Sequence, residues 1–233
     1  MSAIAENLCR VEERIAWAAL RAGRRPEEVV LVAATKDRTA REVEEAVRAG
    51  VKIVGENRVQ EAEAKFPQIG LPFRKHMIGH LQRNKVRKAL MLFDAIQSVD
   101  SLRLGEEISK RAIQMDRTIE VLVEVNTSGE ATKFGVDPEG ALDLLGALSE
   151  LEGISVKGLM TVGPLSEDVG EVRRAFSLLR SLRDEIEREL GLSLPVLSMG
   201  MSGDFEKAIE EGSTMVRIGT AIFGPRSSGY TSG

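Results

Sequence analysis

Eight short apolar segments recur along the chain, near residues 29 to 34, 51 to 54, 73 to 78, 93 to 97, 119 to 125, 154 to 160, 195 to 199 and 214 to 218. Most are rich in β-branched or aromatic residues and bounded by turn formers, as strands are. Between them lie amphipathic stretches of helical or near-helical length, among them residues 40 to 49, 101 to 114, 138 to 148, 169 to 190 and 205 to 211. Strand and helix in regular alternation imply parallel pairing, because a parallel neighbour is reached only through a crossover. Eight such units within 233 residues predict a single TIM-like (β/α)8 barrel in the α/β class. An open doubly wound sheet is the runner-up, but no Gly-rich dinucleotide fingerprint follows the first strand. Helical periodicity over residues 3 to 22, ending at Gly23 and followed by Pro26, adds a helix ahead of the barrel. The barrel is expected over residues 1 to 226, with the Ser- and Gly-rich stretch 227 to 233 as a loose tail.

Composition narrows the function. A net charge of −4 with dispersed basic residues gives no electrostatic footprint for nucleic acid. No apolar run approaches the ~20 residues that cross a bilayer, and glutamates interrupt the amino terminus, so the expected compartment is the cytoplasm, with no membrane partner. Cys9 is the single cysteine and falls on the apolar spacing of the first helix, where it reads as a packing residue. With only His76 and His80 besides, no metal centre is expected.

Lys36 follows the run Val29-Val30-Leu31-Val32-Ala33-Ala34-Thr35, at the C-terminal end of the first expected strand. In a parallel barrel that end is the mouth where chemistry is assembled, and a partly desolvated lysine there is a Schiff-base former. The plain alternative is an exposed strand-end lysine in a salt bridge. Two late loops carry an anion-binding pattern: Leu197-Ser198-Met199-Gly200-Met201-Ser202-Gly203-Asp204 and Arg217-Ile218-Gly219-Thr220. Each joins a strand end, glycine and a hydroxyl residue to a helix start, and together they follow the seventh and eighth strands, the usual phosphate position of such barrels. Taken singly, Ser202 or Asp204 would only cap a helix and Gly219 only permit a turn. Arg217 would either pair with a carboxylate such as Asp204 or face a ligand, and Asn57 would either line the mouth or cap the next helix. His80 is an acid-base group or a loop-bonding histidine, Lys133 in the loop after the fifth strand is most simply a solvated charge, and Met160 packs in the barrel or lines the pocket.

The segments Ala33-Ala34-Thr35-Lys36, Gly55-Glu56-Asn57-Arg58, Ile78-Gly79-His80-Leu81-Gln82, Gly158-Leu159-Met160-Thr161, Ser198 to Asp204 and Arg217 to Gly224 stand in an order that closely resembles the pyridoxal phosphate homeostasis protein family, single-barrel relatives of the alanine racemase amino-terminal domain. The resemblance covers essentially the whole chain. It implies pyridoxal 5'-phosphate as cofactor, held as an aldimine on Lys36, with Ser202, Gly219 and Thr220 at the phosphate, Arg217 at the pyridine nitrogen and Asn57 lining the pocket. Lys133 matches the family's lysine-bearing loop and a role in cofactor exchange. Asp37-Arg38 departs from the family's usual pattern, in which an uncharged residue follows the lysine. The implied function is non-enzymatic: a monomer that buffers the cofactor or delivers it to apo enzymes that depend on it, within vitamin B6 homeostasis. A weak amino-acid racemase is the alternative; for it, no second base is visible, since the one tyrosine, Tyr230, lies in the tail. A cofactor-free Schiff-base enzyme acting on a sugar phosphate is a third reading.

Overall fold

The computed structural model describes residues 2–225, so the expected tail and Tyr230 lie outside the described residues. The chain opens with α1 (Ala3–Arg21) and continues through β1 (Val30–Ala34), α2 (Ala40–Arg48), β2 (Ile53–Glu56), α3 (Val59–Lys65), β3 (Arg74–Met77), α4 (Val86–Leu92) and β4 (Ala95–Val99). The second half comprises α5 (Leu102–Gln114), β5 (Ile119–Glu124), α6 (Ala141–Ser149), β6 (Ile154–Met160), α7 (Val169–Leu190), β7 (Val196–Ser198), α8 (Phe205–Glu210), β8 (Met215–Ile218) and the single turn α9 (Thr220–Phe223). All eight strands pair in parallel with their neighbours in chain order, and β1 against β8, with Val32 opposite Arg217, closes the barrel. The expected barrel and leading helix are both present. The helices α3 and α4 are too short to leave a clear helical period in the sequence.

Alternation along each strand divides the buried residues into two shells. Ile119, Val121 and Val123 of β5 point outward into the large cluster shared with the helices, as do Val54, Ile96 and Leu159. Val32, Ile53, Ile78 and Met215 form a small apolar plug inside the barrel. In β6 a bulge interrupts this alternation: Val121 pairs with Val156 but Leu122 pairs with Gly158, leaving Lys157 as the extra residue. The bulge reverses which face residues 158 to 160 present, so that Leu159 points outward and Met160 inward opposite Glu124.

The buried stripe of α1 consists of Ile4, Leu8, Val11, Ile15, Ala18 and Ala19. Cys9 is exposed, contrary to the packing role expected of it. It sits one residue from Leu8, a rotation of about 100° that carries it off the stripe.

Candidate functional site at the barrel mouth

Lys36 emerges from β1 half-buried, and among the described residues its amine has neither a hydrogen bond nor an ion pair. The salt-bridged reading is therefore not what the fold shows. Its backbone is held from both sides. Behind it, Thr35 Oγ1 donates to Glu56 Oε1 at 3.1 Å, while Lys65 Nζ donates to the Thr35 carbonyl at 2.7 Å and to Glu56 Oε1 at 2.6 Å. Burial pushes the Glu56 carboxyl up, against the opposing pull of Lys65. After it, Asp37 takes φ 60°, and its N–H donates to Glu61 Oε2 at 3.1 Å. Thr39 and Glu42 then start α2 with reciprocal bonds, Glu42 N–H to Thr39 Oγ1 at 3.2 Å and Thr39 N–H to Glu42 Oε2 at 2.7 Å.

Arg38, the second residue of the Asp37-Arg38 departure from the family pattern, is buried and donates to the carbonyls of Phe223 and Gly224, with its guanidinium over the Phe223 ring at 5.6 Å. It thus ties the Lys36 loop to the end of α9. Gly219 brings the same two segments together, since a Cβ at that position would lie 3.1 Å from the Ala34 carbonyl oxygen.

The backbone N–H groups of Gly219 and Ala221 converge on a single oxygen, Ser202 Oγ, at 3.2 and 3.3 Å. Ser202 therefore does not cap α8. Neither does Asp204, whose side chain accepts from the Met201 N–H at 2.5 Å. Thr220 stands exposed beside them, its hydroxyl without a partner among the described residues. Asn57 follows β2, half-buried, and the side chain caps no helix; Gly79 packs so tightly over its backbone that a Cβ there would meet Asn57 O at 2.5 Å.

Arg217 points inward from β8 and is 4% exposed. It donates to Ser198 Oγ at 2.6 Å and to the Thr161 carbonyl at 2.8 Å rather than pairing with Asp204. With the Gln97 amide nitrogen facing His76, donor chemistry sets the directions of this network. Ser198 Oγ accepts from Arg217 and donates to Gln97 Oε1 at 2.7 Å, and the Gln97 amide contacts His76 Nδ1 at 2.8 Å. His76 Nδ1 must then accept, which places its proton on Nε2, a buried atom with no partner. Burial, followed by the charge of Arg74, lowers His76 to about 4 and keeps the ring neutral. A chain of donors thus crosses the barrel interior and leads away from a buried cation. Burial lowers Arg217 to about 10, against the opposing fields of Glu124 and Asp204. Met160, fully buried, completes this interior layer.

The loop after β5 touches the loops that follow β3 and β6. Lys133 Nζ donates to the Gly163 carbonyl at 2.8 Å and pairs with Glu130 at 2.7 Å, so it is not the solvated charge expected. Phe134 stacks on His80, with centroids 3.9 Å apart, and His80 Nδ1 lies 3.3 Å from Asp100 Oδ2. His80 is occupied by side chains, not by loop backbone. Sequence reasoning missed the interior residues Gln97, Ser198 and Glu124. Their signal was a polar side chain within or at the end of a mainly apolar strand.

The alanine racemase amino-terminal domain model matches residues 6–227. A pyridoxal phosphate homeostasis protein of Aquifex aeolicus is 46% identical over 222 residues, covering 95% of this chain and 97% of that one. The chain belongs to the pyridoxal phosphate homeostasis protein family. The Pseudomonas aeruginosa member is 41% identical over 98% of both chains. Among solved structures, PipY of Synechococcus elongatus PCC7942 with PLP bound is 36% identical with a TM-score of 0.83, covering 95% of this chain and 100% of that one. An alanine racemase of Clostridium difficile 630, 18% identical, shares the barrel at a TM-score of 0.77, covering 94% of this chain and 56% of its own. The expected family and barrel fold are both borne out, and no helix among the described residues is long and apolar enough to cross a membrane.

Proposed function

We propose that this member of the pyridoxal phosphate homeostasis protein family binds pyridoxal 5'-phosphate covalently on Lys36 and acts as a monomeric, non-catalytic cytoplasmic carrier that buffers the cofactor and hands it to apo enzymes. The observation that carries the reading is the convergence of the Gly219 and Ala221 N–H groups on one oxygen, in a loop packed against the strand that presents the unpartnered Lys36 amine. A phosphate oxygen in place of Ser202 Oγ would meet the same donors, with the Ser202 and Thr220 hydroxyls beside it. When bound, the cofactor supplies an aldehyde that condenses reversibly with an amine. Lys36 provides that amine, Asn57 lines the pocket, and Arg217 presents a cation that does not give up its proton near neutral pH and so leaves a ring nitrogen unprotonated. An unprotonated ring stabilises a carbanion poorly, which favours storage over racemisation. The PLP-bound PipY structure and the names of the homeostasis relatives support the same assignment.

Two results are expected. Ser202→Ala and Thr220→Val should each weaken pyridoxal 5'-phosphate binding ~10-fold to ~150-fold, as loss of a hydrogen bond to a charged group does, while unphosphorylated pyridoxal is little affected. Equal losses for the two ligands would show that these residues do not read the phosphate. The loaded protein should also reactivate an apo enzyme faster than free cofactor at the same concentration. Lys36-dependent exchange of an amino acid's α-proton in deuterated buffer, near the ~10 per second typical of enzymes, would replace the carrier with the racemase reading.

A further inference from the structure

Glu124 ends β5 and faces Met160 across the register, so it points into the barrel at its mouth end. It is 6% exposed, and Oε2 is buried with no hydrogen-bond partner among the described residues. A buried, unpartnered carboxyl oxygen beside a ligand mouth is costly unless a proton or a ligand group satisfies it. The charged neighbours give little relief. Arg217 on β8 is the one cation acting on it, and that guanidinium is already committed to Ser198 Oγ and the Thr161 carbonyl. Asp100, which follows β4, opposes ionisation; β6 places the uncharged Met160 opposite Glu124, followed by Thr161; Asp204, after β7, competes for the same Arg217 field. His80 lies against Asp100 rather than against Glu124.

We propose that Glu124 is a proton-linked binding residue, whose protonated fraction rises when an anionic phosphate-bearing ligand enters the mouth and falls back when the ligand leaves. The inference rests on the cofactor assignment above and deepens it by adding regulation of the same site. Burial, with Asp100 adding to it and Arg217 opposing, raises Glu124 to about 7, so the group stands half-protonated near neutrality before any ligand arrives. The negative charge of a ligand held in the same mouth raises that affinity for the proton further. By linkage, the ligand is held more tightly as pH falls and released more readily as pH rises through the neutral range.

The test is titration calorimetry of pyridoxal 5'-phosphate into the full chain and into E124Q, from pH 6 to 8.5, in buffers of differing ionisation heat. Gln reproduces the neutral carboxyl and cannot titrate, and the ligand's own proton changes cancel in the comparison. At pH 7 the wild-type protein is expected to take up about half a proton more per ligand than E124Q, and above that pH its affinity should fall relative to the variant, by at most about tenfold per pH unit. Equal proton uptake with parallel affinity profiles would overturn the proposal. Infrared difference spectra of the wild-type protein at pH 8 supply an independent reading should E124Q fail to fold. A protonated-carboxyl band gained on ligand addition is expected, and its absence counts against Glu124. No binding heat from the wild-type protein at all would overturn the cofactor assignment as well, which separates that failure from failure of the linkage alone.

Discussion

Lys36→Ala is expected to abolish the Schiff-base absorbance of the pyridoxal-phosphate-loaded protein and to weaken cofactor binding by more than about 100-fold, equivalent to about 3 kcal/mol or more. The magnitude follows from losing a covalent attachment rather than a contact. The choice of lysine follows from what the neighbouring amines are doing. Lys65 lies behind the strand, bonded to Glu56 and the Thr35 carbonyl. Lys133 is engaged by Glu130 and the Gly163 carbonyl, and reaching a ligand would break both contacts. Lys36 has neither obligation. Borohydride reduction of the loaded protein followed by peptide mapping reads the result directly. A stable adduct on Lys133 with Lys36 unmodified would refute the assignment.

Gly158→Ala is expected to be the most damaging single-atom-scale change in the barrel wall, costing about 3 kcal/mol or more of stability. Gly158 has φ 154°, and a Cβ there would fall 1.8 Å from the Val196 carbonyl oxygen and 2.7 Å from its carbonyl carbon. Both are backbone atoms of β7, so no rotamer change relieves the clash. Relief requires β6 and β7 to part, at the bulge that turns Met160 inward. Denaturant unfolding of the variant should show a lowered midpoint with the slope retained. A midpoint within the ±0.5 kcal/mol typical of surface substitutions would mean that the strands separate without cost.

The barrel was legible in the sequence because its strands are buried on both faces and read as apolar runs, with helical periods between them. Their order also placed Lys36 and the loops bearing Ser202 and Gly219 at one end, since parallel strands share their C-terminal side. Orientation was not legible. Whether Arg217 pairs with Asp204 or with Ser198 depends on barrel shear and on the bulge at Lys157, neither of which has a local signature. The same holds for Cys9, where one residue separates a packed position from an exposed one. Lys133 could be assigned only once the fold had brought Gly163 within reach of its loop. Glu124 drew no reading in the sequence, and its significance lies in what fails to reach it.

Arg38 joins the first loop of the barrel to the last, bridging positions 185 residues apart in the chain. The proposed amine and phosphate groups therefore flank the seam between β1 and β8, where the two ends of the sheet meet. A chain still emerging from the ribosome, or one clipped before its eighth strand, would carry Lys36 without the Gly219 loop beside it. On the proposed assignment, cofactor capture would then begin only when the ring is sealed.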